Sequence, residues 1–370
     1  MNHIENKNNL AKLKIVIISF HFYPSLSARS FRATELAKEF AQRGHNVIVY
    51  TVTKSFDYSD FMRNTRITVK KLGDFYKNNF FIHNIFGKLI RTLTEFPMIK
   101  LIPLIKKIIK EENTIDYLIT IAYPHVTHWG VSFSYTNKIK CWVADCGDPY
   151  MLNPIRKGMF YFKWIEKRWC KKADFISIPT VKSINCYYKE FKNKIKIIPQ
   201  GFDLKEVKLS QYIKNDIPTF AYAGNFYKKG RNITSFLKFL SSLDLNFKFI
   251  VYTKNSWLLT PYIDKLQEKL IIKNYIPRTE LLKVLSKMDF LINIKNDNEN
   301  LIPSKLIDYY LTKRPILEIT SKFNESDLFY EFINDDYTHK LEDLDVSQYN
   351  IINICNQFIE LYYSKLNETN

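Results

Sequence analysis

The sequence predicts an α/β protein built from two doubly wound domains, each a parallel sheet covered by helices on both faces. Apolar runs typical of fully buried strands alternate with segments of helical periodicity along almost the whole chain. The length of 370 residues is about twice that of a typical domain. A polar stretch near 204–217 interrupts the alternation, which then starts again, so we expect the domain boundary in that region.

The first domain opens with a strand–helix–strand unit. The run LKIVIISF is continuous and rich in β-branched residues, and the helical spacing that follows it ends at Gly44, a helix-stop signal. The next strand, NVIVYTVT, begins at Asn46. Further strands are predicted at 115–121, 140–145, 174–178 and 195–198, and helices in much of 86–112, 125–134, 157–171 and 180–190.

The second domain repeats the alternation. Strands are predicted in the runs PTFAYAG, FKFIVYT, KLIIKNY, DFLINI and PILEIT, and helices at 232–243, 279–287 and 304–312. We therefore predict domains at 1–205 and 206–348, with a closing helix at 349–370 that packs back towards the first domain. In such sheets ligands bind beyond the carboxyl ends of the strands, so functional residues are expected in the loops that follow strands.

The formal net charge of +18 suggests a partner that carries phosphates. The chain also has 24 Tyr and only 9 Gly, a bias that an AT-rich genome would produce, so the charge alone identifies no partner. Since there is no long basic tract or RNA-binding aromatic signature, we expect no nucleic acid. The five cysteines lack the spacing of a zinc knuckle or a redox motif and are typical of reduced thiols in a cytosolic protein.

One segment could contact an anionic membrane surface. The stretch MIKLIPLIKKIIK, at 98–110, mixes Ile and Leu with lysines, as a basic interfacial helix does. An ordinary surface helix with its lysines outward is the slightly better explanation, and Pro103 weakens a continuous helix. No signal peptide is recognised, and no uncharged apolar run reaches the ~18 residues that a membrane span needs. We expect a cytoplasmic protein, with peripheral attachment to the inner face of the membrane as an option.

Two loops of the second domain are candidates for phosphate binding, although the chain has neither a Gly-x-Gly-x-x-Gly sequence nor a P-loop. In AYAGNFYKKGRN a strand ends at a glycine and three cations precede a helix; a solvated basic loop is the alternative. In NDNENLIPSKLIDYYLTKRPIL a lysine lies in the first turn of a predicted helix, where it opposes the helix dipole unless a negative ligand lies in front of it. The residues concerned are Gly224, Lys228, Lys229, Arg231, Pro303, Ser304, Lys305 and Asp308.

The first domain places acidic and imidazole groups at strand ends. WVADCGDPY ends a strand with Asp145 and Asp148, which could act as a base, an electrostatic stabiliser or a hydroxyl ligand. A turn built on an aspartate is the plain alternative. AYPHVTHWG contributes His125 and His128. These four residues match zinc by type but lack the tight local spacing of metal sites, so we expect no metal.

Taken in order, these segments resemble the GT-B glycosyltransferases of family four. The opening KIVIISFHFYPSLSARSFRATELAKEFAQRGHNVIVYT resembles their first strand, acceptor-side loop, helix and second strand. VADCGDPY is similar to an Asp-x-x-Asp-Pro-aromatic segment, and IIPQGFD to the Ile-Pro-Asn-Gly-aromatic-Asp hinge. FAYAGNFYKKGRN, YIPRTELLKVLSKMDFLINI and PSKLIDYYLTKRPIL resemble the donor side. The resemblance covers nearly the whole chain and implies two Rossmann-like domains that face a central cleft.

The resemblance implies a role for each candidate residue. Lys229 would neutralise a donor diphosphate, Asp308 would bind the ribose where the family has a glutamate, and Asn300 replaces the first glutamate of the Glu-x7-Glu pair. Asp148 would lie beside the transferred sugar. The predicted catalytic residues are Asp148, Lys229 and Asp145; the predicted donor-binding residues are Gly224, Asn225, Lys228, Arg231, Asn300, Pro303, Ser304, Lys305 and Asp308; the predicted acceptor-binding residues are Ser27, Arg29, His125 and His128.

These implied roles predict a retaining, hexosyltransferase-like enzyme. It would move a sugar from a nucleotide-diphosphate sugar to a growing surface glycan, such as lipopolysaccharide or capsule, with a lipid-linked acceptor as one option. No metal or other cofactor is expected, because fixed cations and a helix N-terminus can stabilise the leaving diphosphate. Two alternatives stay open: a sugar-nucleotide epimerase of the same fold, and a non-catalytic partner subunit, which the loss of the Glu-x7-Glu pair would allow.

Overall fold

The computed structural model of the protein describes residues 11–52, 56–73, 75, 85–134, 137–153, 158–205, 207–226, 231–295 and 304–369. The chain divides into two compact units. The first unit comprises Met1–Phe202 and Gln348–Asn370, and the second comprises Asp203–Ser347. Each unit holds a parallel sheet with helices, which confirms the predicted fold class.

The sheet of the first unit has seven strands among the described residues, and every pairing is parallel. Their order across the sheet is β3-β2-β1-β4-β5-β6-β7, so the winding reverses between β1 and β4. The strands are β1 (Lys14–Ser19), β2 (Asn46–Thr51), β3 (Thr68–Lys71), β4 (Ile115–Ala122), β5 (Ile139–Cys146), β6 (Phe175–Ile178) and β7 (Ile195–Ile197).

Both faces of this sheet are covered, which explains why its strands are continuous apolar runs. Successive side chains of a strand point to opposite faces. Val16 and Ile18 enter one core, whereas Ile15 and Ile17 enter the other. The α-helices of this unit up to residue 172 are α1 (Ala28–Gln42), α2 (Ser59–Thr65), α3 (Ile85–Thr94), α4 (Leu101–Glu111), α5 (Val126–Ser134) and α6 (Phe162–Lys172).

Four segments of the first unit differ from the prediction. The helix predicted within 86–112 is divided into α3 and α4, because Pro97 lies between them. Pro103 does not break α4, since it lies in the first turn, where no intrahelical N–H bond is lost. The segment 180–190 forms short 3₁₀ turns instead of an α-helix. The short α2 and the edge strand β3 were not predicted.

The sheet of the second unit has five parallel strands in the part of the chain that is described, in the order β10-β9-β8-β11-β12. Its core is aromatic: the ring of Phe220 stacks on that of Phe290, with centroids 4.8 Å apart. The strands are β8 (Thr219–Ala223), β9 (Lys248–Tyr252), β10 (Leu270–Lys273), β11 (Phe290–Ile294) and β12 (Ile316–Ile319). The helices are α7 (Thr234–Ser241), α8 (Ile263–Leu266), α9 (Arg278–Leu285), α10 (Ser304–Leu311) and α11 (Ser326–Ile333).

The last helix, α12 (Ile351–Thr369), belongs to the first unit. It packs beside α1, and its residues Ile354 and Phe358 are fully buried in the same core as Ile15. Tyr117 on β4 donates a hydrogen bond to the carbonyl of Phe358 at 2.7 Å. None of the helices in the described ranges is both long enough and apolar enough to cross a membrane.

Candidate functional site

The first candidate site lies at the carboxyl end of β8, where the winding of the second sheet reverses between β8 and β11. Ligands of open α/β sheets bind at such reversal points. Gly224 follows β8 with a φ of +147°, a conformation that side chains disfavour, and its N–H donates to the carbonyl of Tyr252 at 2.9 Å. The chain therefore leaves the strand in a turn that suits glycine.

Helix α10 is held against this strand end by Tyr309. The N–H of Ala223 donates to the Tyr309 hydroxyl at 2.7 Å, and that hydroxyl donates to the carbonyl of Ala223 at 3.3 Å. The Tyr309 side chain is fully buried. These two bonds fix α10 beside the end of β8. The first N–H groups of a helix have no partner within the helix and can bind a ligand.

Lys305, in the first turn of α10, carries a buried ammonium group. Its Nζ has no hydrogen-bond partner within the described ranges. It lies 4.4 Å from the centre of the Tyr222 ring and 6.0 Å from that of Tyr309, so aromatic faces provide its electrostatic support. Burial, and then the nearby charge of Arg231, lower the pKa of Lys305 well below its usual value. Lys305 thus stands in the first turn of α10 with the charge of Arg231 nearby, and an anionic ligand there would favour the ammonium form of the lysine.

The carboxylate of Asp308 lies one turn further along α10 and is held by an arginine from α9. Arg278 Nε donates to Asp308 Oδ1 at 2.7 Å. Burial raises the pKa of Asp308, and the charge and hydrogen bond of Arg278 oppose that shift. Sequence reasoning did not single out Arg278 as a site residue, because nothing in its own segment indicates a contact with a residue 30 positions later.

Asn225 has a local bonding role. Its side-chain oxygen accepts a hydrogen bond from the backbone N–H of Lys254 at 3.3 Å, and its carbonyl accepts one from the Tyr222 hydroxyl at 3.2 Å. Asn225 therefore helps to shape the loop after β8, and the donor contact predicted for it stays a prediction. Lys228, Lys229, Asn300, Pro303 and the side chain of Ser304 lie outside the described residues, and the roles predicted for them stay predictions.

The second candidate site is a pocket in the first unit, with a volume of about 400 Å³. It lies where the loops after β1, β4 and β5 meet, which is again at a reversal of the winding. Ser27 caps α1 by accepting a hydrogen bond from the N–H of Ser30 at 3.2 Å, so the N-terminus of α1 is directed to this pocket. The lining includes His21, Ser27, Arg29, Tyr123, His125 and Asp148.

An ion pair between Arg29 and Asp148 closes one side of the pocket. Arg29 Nη2 lies 3.3 Å from Asp148 Oδ2. The Asp148 side chain is 55% exposed and can therefore meet a ligand. A Cβ at Gly147 would stand 1.5 Å from the Arg29 guanidinium, so the glycine leaves the space that the arginine occupies. Of the four predicted acceptor-binding residues, Ser27, Arg29 and His125 line the pocket with Asp148.

Asp145 has a structural environment, which corrects its predicted catalytic role. Its carboxylate is buried and receives two bonds from Arg32, Nη2 to Oδ1 at 2.8 Å and Nε to Oδ2 at 3.2 Å. Ser177 on β6 donates to Oδ1 at 2.6 Å. Arg32 Nη2 also donates to the carbonyl of Ile198 at 3.1 Å. Through these bonds Arg32 and Asp145 connect α1 with β5, β6 and the end of β7. Asp145 is not among the residues that line the pocket.

His128 is also buried in the interior, contrary to its predicted acceptor role. Its Nδ1 lies 2.7 Å from the Thr120 hydroxyl, and its Nε2 lies 3.4 Å from Cys146 Sγ. Trp142 Nε1 donates to the same hydroxyl at 2.9 Å. Burial, and then the charge of His125, lower the pKa of His128 well below its usual value. We infer a neutral imidazole that supports the wall behind the pocket.

One group of possible metal ligands occurs among the described residues. The ligand atoms of His125, His128 and Cys146 lie within 4.8 Å of one another, and all three residues are buried. Burial raises the pKa of the Cys146 thiol well above its usual value, which disfavours the thiolate that a metal requires. Both ring nitrogens of His128 already have hydrogen-bonding neighbours. The set therefore fits a neutral hydrogen-bonded core better than a cation.

A buried carboxyl group supports the loop that forms the pocket rim. The Tyr188 hydroxyl donates to Glu166 Oε2 at 2.6 Å, and the N–H of Met151 donates to Oε1 at 3.4 Å. Glu166 is 2% exposed, and this burial raises its pKa to about 7. Between the ordinary glutamate pKa of about 4.3 and about 7, the folded protein keeps a proton that the unfolded chain has lost. Stability should therefore fall as the pH rises through this window.

We expect Glu166→Gln to remove up to about 3–4 kcal/mol of this pH-dependent loss, because the amide cannot ionise. Urea unfolding of the wild type and the variant across the window would give the difference in unfolding free energy at each pH. Glu190→Gln is the matched control, since Glu190 is half exposed and paired with Lys167. If the unfolding free energies of the wild type and Glu166→Gln changed with pH in parallel, the raised pKa of the buried Glu166 carboxyl would be contradicted.

The two doubly wound units and their sites at the winding reversals define the class of the fold, which is GT-B. A glycosyltransferase from Rickettsia africae aligns with 96% of this chain and 99% of its own, with a TM-score of 0.66 and 13% identity. The lipopolysaccharide outer core galactosyltransferase WaaB aligns with 95% of this chain and all of its own, with a TM-score of 0.60 and 10% identity. The UDP-GlcNAc 2-epimerase of Neisseria meningitidis, bound to UDP-GlcNAc, covers 95% and 100%, with a TM-score of 0.56 and 13% identity.

No family model and no curated protein matches the sequence. At such low identities the structural likeness establishes the fold. The predicted resemblance to GT-B glycosyltransferases is confirmed at this level, and the assignment to family four stays a prediction. The same fold carries transferases and an epimerase, so the chemistry has to be argued from the sites.

Proposed function

We propose that this chain is a glycosyltransferase that moves a sugar from a nucleotide-diphosphate sugar to a growing surface glycan. The observation that carries the proposal is the buried ammonium group of Lys305, which has no hydrogen-bond partner in the described part of the chain. A buried amino group without a hydrogen-bond partner is costly, and such costs are usual where a charged ligand completes the site. Its place at the start of α10, beside the end of β8, suits a diphosphate.

Sugar transfer requires positive charge beside the diphosphate of the donor, where the bond to the sugar breaks. The bond between the sugar carbon and the diphosphate oxygen breaks, a bond from that carbon to an acceptor hydroxyl oxygen forms, and the hydroxyl proton is released. The diphosphate leaves with the bonding electrons, so negative charge grows on it in the transition state. Lys305, Arg231 and the N–H groups of α10 can stabilise this charge without a metal, and Lys229 is proposed to join them.

The nucleoside would be held by the next turn of the same helix. Asp308 can accept hydrogen bonds from ribose hydroxyls through the oxygen that Arg278 Nε does not occupy. Arg278 is then a positioning residue, because it orients the carboxylate and supports its charge. A uridine nucleotide is the first donor to test, since the epimerase of similar fold was solved with UDP-GlcNAc.

The acceptor would occupy the pocket of the first unit. Asp148, partly exposed and paired with Arg29, can accept a hydrogen bond from a sugar hydroxyl, while His125 and Ser27 add polar lining. Retention of configuration, a lipopolysaccharide or capsule acceptor and a lipid-linked form of it are proposed on the resemblance to family four.

We expect one nucleoside diphosphate, UDP first among UDP, GDP, CDP and ADP, to raise the melting temperature, because a ligand that binds only the folded state stabilises it by mass action. At a concentration of about 100 Kd the gain is about 2.7 kcal/mol. Differential scanning fluorimetry with and without EDTA would measure it. A shift that EDTA abolishes would contradict the metal-independent site.

Two other outcomes would replace the proposal. Conversion of UDP-GlcNAc to an epimer in the absence of any acceptor would identify a sugar-nucleotide epimerase, which the likeness to the Neisseria enzyme makes worth testing. If none of the four nucleotides shifts the melting temperature, a non-catalytic partner subunit becomes the better interpretation.

A further inference from the structure

Large apolar side chains are exposed on α3 and at the start of α6. Phe160 is 81% exposed, Trp164 63% and Leu89 52%, and Tyr161 and Leu93 are also exposed. Single exposed apolar residues are common, but a cluster that includes three aromatic residues marks an interaction surface. We call these five residues the aromatic face.

Several contacts join the two segments that carry the aromatic face. Leu89 and Leu93 are four residues apart on α3 and so lie on the same side of that helix. The Tyr161 hydroxyl donates a hydrogen bond to the carbonyl of Leu93, which joins α3 to the segment before α6. The rings of Phe160 and Tyr161 are 5.4 Å apart, and the N–H of Trp164 donates to the carbonyl of Tyr161 at 3.2 Å.

The charges around the aromatic face are mostly positive, although Lys107 is paired with Glu111 at 3.8 Å and Lys167 with Glu190 at 2.6 Å. Within the described ranges 85–110 and 158–172 the acidic residues are Glu95 and Glu166, and both are buried and hydrogen-bonded. The Arg168 guanidinium lies 5.8 Å from the Trp164 ring. The basic residues in these ranges whose side chains are wholly or partly exposed are Arg91, Lys100, Lys106, Lys107, Lys110, Lys163, Lys167, Arg168, Lys171 and Lys172.

The structure also corrects which residues could enter a membrane. The sequence suggested the apolar residues of 98–110, yet Leu101, Ile105 and Ile109 on α4 are buried in the core. Lys106, Lys107 and Lys110 of that segment are exposed, whereas its apolar residues other than Pro103 are buried or half-buried. The exposed apolar groups belong instead to the aromatic face.

We propose that the aromatic face docks on a bilayer that contains anionic phospholipid. Phe160 and Trp164 enter the boundary between headgroups and acyl chains, where large apolar side chains are buried, and Arg91 and Lys163 contact lipid phosphates. A second copy of the chain fits this surface less well, because a symmetric contact would bring like-charged basic residues together.

The docked surface adjoins the acceptor pocket. Gly158, which lines the pocket, is two residues from Phe160. Tyr150, also on the lining, donates to Glu95 at the end of α3 at 3.0 Å. A glycan attached to a lipid would therefore emerge beside the pocket. This last step rests on the proposed function, whereas the docking itself does not.

Flotation of the full chain with phosphatidylcholine vesicles, with and without phosphatidylglycerol, tests the docking. We expect binding to the anionic vesicles that weakens at high salt. The double variant Phe160→Ser/Trp164→Ser should bind more weakly by about tenfold or more, because two large apolar side chains are lost. Ile213→Ser, which changes a 76% exposed residue of the second unit, is the control and should bind as the wild type does.

Two charge-reversal variants measure the electrostatic contribution to vesicle binding. Lys163→Glu should weaken binding to anionic vesicles, whereas Lys238→Glu, on an exposed position of α7, should not. Absence of wild-type flotation, equal binding by the double variant, or a concentration-dependent dimer that the double variant loses would each overturn the proposal. The UDP-dependent melting shift is recorded for the same variants. A shift that persists without vesicle binding rejects only the docking, and vesicle binding without a shift rejects only the proposed donor site.

Discussion

Lys305→Met should abolish the UDP-dependent rise in melting temperature and reduce sugar transfer about 10²–10³-fold, the usual cost of removing one preorganised charge-stabilising group. The same change should raise the melting temperature of the ligand-free protein. The ammonium group of Lys305 is buried over the Tyr222 ring with no hydrogen-bond partner in the described ranges. An apolar side chain of similar length avoids the cost of burying that group. Fluorimetry and a donor-turnover assay measure the two effects.

The opposite signs of these two effects make the test specific. If Lys305 served only for packing, its replacement would lower the melting temperature of the ligand-free protein. If it were a solvated lysine, its replacement would change neither that melting temperature nor the response to UDP. Lys283→Met is the control, since Lys283 is exposed on α9. A Lys305→Met variant that keeps the UDP shift, or that melts at a much lower temperature, would reject the buried cation as the donor-phosphate ligand.

Arg32→Met should destabilise the protein by about 3–5 kcal/mol, because it leaves the buried Asp145 carboxylate without its counter-charge. Asp145→Asn should also be strongly destabilising. Combining Arg32→Met with Asp145→Leu should recover part of the loss, because no unpaired charge then remains. Urea unfolding of Arg32→Met, Asp145→Leu and their double variant gives the coupling energy.

Asp148→Asn is the matched comparison, three residues away. Its carboxylate is 55% exposed, so its pair with Arg29 should contribute at most about 1 kcal/mol to stability. We expect the variant to fold normally and to lose sugar transfer. The reverse pattern, with a stable inactive Asp145→Asn and an unstable Asp148→Asn, would restore the catalytic role to Asp145.

The difference between these aspartates shows where sequence reasoning succeeds and where it fails. Apolar runs predicted β4 at 115–121, and the strand spans Ile115–Ala122. The roles of Asp145 and Asp148 depend on the exact residue at which β5 ends, which is Cys146. Asp145 is inside the strand and meets Ser177 across the sheet, whereas Asp148 is beyond its end. Strand ends inferred from a pattern are uncertain by more than the single residue that decides this.

A signal for the buried ion pair was nevertheless present. Arg32 precedes Leu36 and Phe40 at intervals of four, so it lies on the apolar stripe of α1 that faces the core. An arginine on such a stripe needs a buried acid, which could have been sought at the nearby strand ends. No comparable signal existed for Arg278, since its partner Asp308 is brought to it only by the packing of α9 beside α10.

The position of α12 has a consequence for the order in which the protein matures. Phe202 pairs with Asn350: its N–H donates to the carbonyl of Tyr349 at 2.8 Å, and its carbonyl accepts from Ile351 at 2.9 Å. The entry to the second unit and the exit from it are therefore fastened side by side. During translation all residues of the second unit leave the ribosome before α12. The inserted unit can finish folding first, while the core of the first unit waits for its last helix.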